Sequence, residues 1–228
     1  LGNGAGSYFM LSSGGSSRYD GFFAYDVDDS QMYSIVDSFG LPLNSVKHHL
    51  TYADTDGGRF FLPQEMTSLV IEPKSRLDLL MDIRKSYDMR VWGRHYTVSS
   101  EGKKIVIEFV KKTDSREDPT NEIPEYRMFA VVRHDGSHEL RQEWVERHYE
   151  FDEERGSPPY SRFVFNAASI NAKRVVISVS KSRVEAEAES DMLLKTGPED
   201  AEGFEKASGR HEVDFSYSAA AESLDNLT

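Results

Sequence analysis

Lys103–Val110 repeats with a period of two. Ile105, Ile107 and Phe109 fall on one side, and Val106, Glu108 and Val110 on the other. Successive side chains of a strand point to opposite faces, so one face here is fully apolar and the other partly so. That pattern suits a strand held between two packed layers. Arg174–Ser180 has the same period, with Val175, Ile177 and Val179 on one face and Val176, Ser178 and Ser180 on the other. Further short apolar runs predict strands over Ser7–Leu11, Arg18–Val27, Met32–Val36, Ser45–Ala53, Arg59–Leu62, Ser68–Glu72, Arg76–Ile83, Tyr126–Arg133 and Arg162–Ala168. Ser13–Ser17 and Asp54–Gly58 read as turns, and Ser115–Pro124, polar with Pro119 and Pro124, as an exposed loop. Short strands punctuated in this way predict an all-β fold. In Leu140–Phe151, Leu140, Trp144, Val145 and His148 fit a helical stripe. The same stretch also alternates, Trp144, Glu146, His148 and Glu150 against Val145, Arg147, Tyr149 and Phe151, and strand is the preferred reading.

The character changes near the end. Val184–Lys195 mixes Glu and Ala with a few apolar residues, and Gly197-Pro198 breaks it. Glu199–Ser208 is a polar helix candidate. Phe215–Leu227 predicts an amphipathic helix, with Tyr217, Ala220, Ala221, Leu224 and Leu227 on one face and Asp214 as N-cap. No glycine or proline ends that helix before Thr228, and its apolar stripe needs a partner. A larger helical domain is therefore expected to follow. The opening Leu1-Gly2-Asn3-Gly4 lacks a Met, so the native start is expected upstream. The organisation expected is a β domain over 1–195 and a linker with a helix over 196–228.

Composition narrows the function. A chain of 228 residues can bury a core as one large β domain or two small ones. It has no cysteine, which excludes a disulfide scaffold, thiol chemistry and Cys-based zinc sites. A net charge of −12 with no long Lys/Arg stripe speaks against a nucleic-acid partner. No apolar run approaches the roughly 20 residues of a membrane helix, and no signal-peptide pattern opens the chain. A cytoplasmic location is the expectation.

Leu1-Gly2-Asn3-Gly4, then a strand, a Gly/Ser turn and Arg18-Tyr19-Asp20-Gly21-Phe22-Phe23, resembles the N-terminal domain of glycogen-debranching enzymes of the amylo-α-1,6-glucosidase type. That family has an Asn-Gly element before an Arg-x-Tyr-His-Gly-Leu-Leu motif. Here Asp20 stands in the place of the His, and Arg18 and Tyr19 are one residue closer. Ala219–Leu227 is similar to the helix that leads into the family's barrel. Glucoamylase-like hydrolases and the cellobiose and trehalose phosphorylases look similar in layout. The resemblance implies a large antiparallel β-supersandwich, galactose-mutarotase-like, with C-terminal linker helices and an (α/α)6 catalytic barrel beyond them. It also implies that the carboxylates of catalysis lie on that barrel, and that this domain braces it and contributes to the rim of an α-glucan site. It implies no catalytic residue, metal or cofactor in this segment, an oligosaccharide or polysaccharide as partner, and a helical domain of the same polypeptide beside it.

Two groups of residues could touch sugar. Arg18 and Asp20 can hydrogen-bond hydroxyls while Tyr19 stacks on a pyranose face; the plainer reading is a structural Arg–Asp pair beside a tight turn. Trp92 and His95, with Arg94 and Tyr96, could line a groove from a loop between strands; the plainer reading is a hairpin with core aromatics. Other readings remain: a free-standing carbohydrate-binding or structural module, or an aldose mutarotase-like epimerase. The latter would use His48, His49, His134, His138 or His148 with Glu139 or Glu143 as an acid–base pair. Their spacing does not converge on one site. Asp54–Gly58 with Glu65 is half a calcium loop with a misplaced glycine, and reads as a β-turn.

Overall fold

The structure is a computed structural model, and it describes residues 1–3, 5–12, 16–26, 28–43, 45–48, 52–86, 88, 90–112 and 125–196. The strands are β1 (Tyr8–Met10), β2 (Gly21–Asp26), β3 (Gln31–Ser38), β4 (Val46–His48), β5 (Tyr52–Thr55), β6 (Gly58–Phe61) and β7 (Ser68–Pro73). They continue with β8 (Leu77–Lys85), β9 (Arg94–Glu101), β10 (Lys104–Lys111), β11 (Tyr126–His134) and β12 (Ser137–His148). Helix α1 (Glu150–Glu154), β13 (Ser161–Asn171), β14 (Val175–Ser180) and α2 (Arg183–Thr196) complete the order.

Every pairing is antiparallel, and the strands form two sheets. One has six strands in the order β1-β2-β3-β8-β13-β12; the other has eight, β4-β5-β6-β7-β14-β11-β10-β9. The inner faces meet in one core. Leu77, Leu79, Met81 and Ile83 of β8 face Ile105, Ile107 and Phe109 of β10 and Val175, Ile177 and Val179 of β14. Tyr96 of β9 stacks on Phe165 of β13 across the gap, with centroids 4.5 Å apart. This is the mainly β sandwich that the two-residue period requires.

The outer face of the eight-stranded sheet is apolar as well, and α2 covers it. Leu193 packs on Phe61, Val70 and Val176, and Ala186 on Val106 and Val131. The Ala- and Glu-rich sequence favours the helix, and the Ser182 hydroxyl accepts from the Glu185 N–H at 3.5 Å at its start. Arg133–Asp191 at 2.7 Å and Lys104–Glu187 at 3.1 Å tie its flanks to the sheet. Val184–Lys195, which sequence left without an assignment, is thus part of the sandwich body.

Several boundaries differ from expectation. The strand expected from Arg18 begins at Gly21, because residues 17–20 form a turn closed by the Asp20 N–H on the Ser17 carbonyl at 3.0 Å. Gly21 has φ +104°, and a Cβ there would collide with the Val36 carbonyl, so only glycine fits. Ser45–Ala53 splits into β4 and β5. Strand β9 was not anticipated. The ambiguous Leu140–Phe151 is strand to His148 and then the short α1, which overrides a continuous strand to Phe151. The loop Ser115–Pro124 and the helix candidates Glu199–Ser208 and Phe215–Leu227 lie outside the described residues.

Candidate functional site

Strands β8 and β13 part company midway. Their register runs from Ile170↔Leu77 to Phe165↔Met81, whereas β3 follows β8 to Tyr33↔Lys85. The Ser86 N–H points to β3, where it meets the Met32 carbonyl at 2.9 Å. Alternation therefore turns the Ile83 and Lys85 N–H groups toward the gap that β13 leaves. Two tyrosines of the opposite sheet satisfy them. Tyr96 Oη accepts from Ile83 at 2.9 Å, and Tyr126 Oη from Lys85 at 3.1 Å. Burial, increased by the charge of Asp82 for Tyr96 and of Asp88 for Tyr126, pushes both phenols far up, so they stay protonated.

Beside this splay lies a buried ionic cluster. Within β8 the core takes Leu77, Leu79, Met81 and Ile83, so Asp82 and Arg84 belong to the outer face. Asp82 is nevertheless only 2% exposed. Its Oδ2 accepts from Arg84 Nε and Arg162 Nη1, both at 2.8 Å, and its Oδ1 from Arg94 Nη1 at 3.3 Å. Burial alone would raise this carboxyl; Arg84 and Arg162 more than offset it and hold the group below the usual carboxylate range. Asp37 of β3 behaves oppositely. It accepts from Tyr149 Oη at 2.7 Å and Arg147 Nε at 3.2 Å. Burial, with Asp82 close by, outweighs them and pushes it up to about 6.

A second ionic group lies where β8 leads to β9. Asp88 receives Arg90 Nη2 at 2.6 Å and Tyr126 Oη at 3.2 Å. Lys111, 1% exposed, donates to the Arg90 and Trp92 carbonyls. Burial pushes its ammonium down to about 8, against the pull of Asp88. Trp92 presents its ring to both cations, 5.1 Å from the Arg90 guanidinium carbon and 5.2 Å from Lys111 Nζ. Gly93, at φ +69°, lets the chain pass the Lys112 carbonyl, which a Cβ would strike.

The rim of this region is aromatic. Arg94 lies over Trp144, 4.6 Å from the ring centroid, and also donates to the Phe163 carbonyl at 2.7 Å. Trp144 is 44% exposed and Phe163 53%. They are diagonal neighbours on β12 and β13, since Trp144 pairs with Phe165 and Glu146 with Phe163. At the same end of the sandwich, a cleft of ≈400 Å³ opens between β2 and β14. Ala24, Met128 and Val179 line its base, and Asp26, Lys181 and Glu185 its polar wall. Lys181 bridges Asp26 and Asp29, each at 3.0 Å.

The residues singled out from sequence are distributed as follows. Arg18 and Asp20 do not pair with each other. Asp20 closes its turn, accepting from the Ser12 hydroxyl at 2.7 Å and the Ser17 N–H at 2.8 Å. Arg18 reaches Ser157 Oγ at 3.0 Å and the Pro158 carbonyl, and its N–H donates to Asp152 at 2.7 Å. Tyr19 remains 47% exposed beneath the Arg18 guanidinium. Trp92 and Arg94 join the ionic end. His95 alternates to the opposite face of β9 and is exposed. Arg94, His95 and Tyr96 lie on a strand, not on the loop expected for them. His134 and His138, four residues apart, share a 2.8 Å bond in the β11–β12 hairpin, while Glu139 turns to Arg141. His49 lies outside the described residues. Asp54 pairs with Arg59 at 2.8 Å, and the Thr55 hydroxyl organises the turn, as a β-turn reading requires. Among the described residues no three His, Asp or Glu groups converge on a metal position.

Asn3, the Asn of the opening element, is an anchor. Its Nδ2 donates to the Pro63 and Met66 carbonyls at 2.6 and 2.8 Å, and its Oδ1 accepts from the Ser7 N–H at 3.0 Å. Asp37, Asp82, Asp88, Arg84, Lys111, Arg147, Tyr149 and Arg162 were not singled out from sequence. The available signal was the row Asp78, Leu80, Asp82, Arg84, which reads as a solvated face. Among the described residues no helix is long and apolar enough to cross a membrane. No protein-family model matches the chain, and no curated protein matches it.

Proposed function

We propose that this chain is a carbohydrate-binding β-sandwich module of a glycoside hydrolase resembling the glycogen-debranching enzymes. It holds an α-glucan oligosaccharide beside a catalytic helical domain of the same polypeptide and braces that domain. The observation that carries the binding role is the Trp144 platform. One exposed indole is fixed by Arg94, with exposed Phe163 next to it. Sugar sites join a flat apolar surface to fixed polar groups in this way. The substrate class rests on the Asn-Gly and Arg-Tyr-Asp-Gly resemblance.

Calorimetric titration with maltooligosaccharides tests it. Binding should occur, and Trp144→Ala should weaken it about tenfold or more, the scale of a lost stacking contact. Absence of binding would leave an architectural role alone. Binding that Trp144→Ala leaves untouched would move the site to Tyr19 or the β2–β14 cleft.

A further inference from the structure

The inner face of the six-stranded sheet comes out into solvent along β12 and β13. Phe165 of β13 is 7% exposed in the core, whereas Phe163, two residues earlier on the same face, is 53% exposed. The opposite sheet accounts for the step. Its edge strand β9 begins at Arg94, which already lies over Trp144 and bonds the Phe163 carbonyl. Among the described residues no strand of that sheet lies further out than β9.

A carboxylate stands between the two exposed rings. Glu146 is the register partner of Phe163, and Trp144 precedes it by two on the same face of β12. Register partners stand about 5 Å apart at Cβ, and a diagonal pair such as Trp144 and Phe163 about 7–8 Å apart. Glu146 is exposed and, among the described residues, has no ion pair or hydrogen bond. The basic groups beside this row are committed elsewhere. Arg94 goes to Asp82 at 3.3 Å, and His148, next in the row, to Glu153 at 3.0 Å. An ionised carboxylate only accepts, through two oxygens, so a ligand lying across these rings must donate to it. An anion is repelled there, and by the net charge of −12. Vicinal hydroxyls of a pyranose supply two donors on adjacent carbons, beside the C–H face that packs on an aromatic ring.

We propose that Glu146 is the specificity-determining residue of the Trp144 platform, where it accepts hydrogen bonds from two vicinal hydroxyls of the stacked sugar. This rests on the carbohydrate reading above and narrows it to sugars whose neighbouring hydroxyls are both free.

Calorimetric titration with maltooligosaccharides, and with the same oligosaccharides methylated at O2 and O3, tests it. Methylation keeps the ring and removes both donors. The parent should bind the methylated probe about tenfold more weakly. Glu146→Gln, and more fully Glu146→Ala, should weaken the unmodified probe about three- to tenfold and bring the two probes together. Both variants should melt with the parent, because Glu146 bonds nothing among the described residues. Phe163→Ala should weaken both probes alike. Binding that Trp144→Ala weakens and Glu146→Ala leaves unchanged would overturn this inference and leave the carbohydrate reading standing. Equal binding of the two probes by the parent would do the same. Absence of binding by either probe would overturn both.

Discussion

The two sheets bury their outer faces by opposite chemistry. On the eight-stranded sheet, Phe61, Val70, Val106, Val131 and Val176 lie under α2. On the six-stranded sheet, Asp37, Asp82, Arg84 and Arg162 are buried, with Arg84 and Arg162 paired to Asp82 and Asp37 held by Tyr149 and Arg147. An apolar face tolerates change in proportion to the volume removed. An ionic face is nearer to all-or-none, because removing one member strands its partners in low dielectric.

The contrast can be broken most directly at Asp82. Asp82→Ala leaves Arg84, Arg94 and Arg162 without their shared carboxylate and should cost about 3–5 kcal/mol in chemical denaturation. A cost under about 1 kcal/mol would show that the arginines have another counter-charge, and the distinction would fail. Leu193→Ala on the other sheet should cost about 2–3 kcal/mol. Hydrogen exchange should then quicken in α2 while the ionic face stays protected; equal loosening of both would mean that the faces are coupled. The Asp37 carboxyl sharpens the contrast through pH. Its folded pKa of about 6 exceeds the ordinary 3.8, so the native state holds an extra proton between these values. Its stabilising contribution is complete below about pH 4 and is lost as pH rises to about 6, at no more than about 1.4 kcal/mol per unit. Asp37→Asn should therefore gain stability relative to the parent over that window, as thermal melts would show. A parallel pH profile would mean that Asp37 ionises normally. The smallest effect belongs to Asp191→Asn, which removes the half-exposed bridge to Arg133 and should cost at most about 1 kcal/mol by denaturation.

The sequence carried the sandwich in its periodicity. Val175, Ile177 and Val179 and their neighbours on β10 announced two apolar faces, and the inner and outer packing of β14 follows that alternation. Strand β9 was not legible, because Thr97, Ser99 and Ser100 leave an edge strand little apolar signal. The ionic face was misleading for a different reason. Alternating charge normally marks solvent, whereas Asp82 is buried and meets Arg94 and Arg162 from distant strands. Such convergence is a property of topology, not of local pattern. Trp92 and Arg94 were recognisable as chemistry-bearing residues, but the role of Arg94 as a link between Asp82 and Trp144 needed the fold.

Tyr96 and Tyr126 have a mechanical consequence. Each roots its ring in the eight-stranded sheet and ends its hydroxyl on the backbone of β8. They act as two rungs that fix the sliding position of one sheet against the other. Dispersion between flat apolar layers resists separation but barely resists shear, whereas a directional bond across the gap resists both. The amide of Ile83, inside β8, is therefore expected to report on the contact between the sheets: its exchange with solvent requires the Tyr96 hydroxyl to leave it.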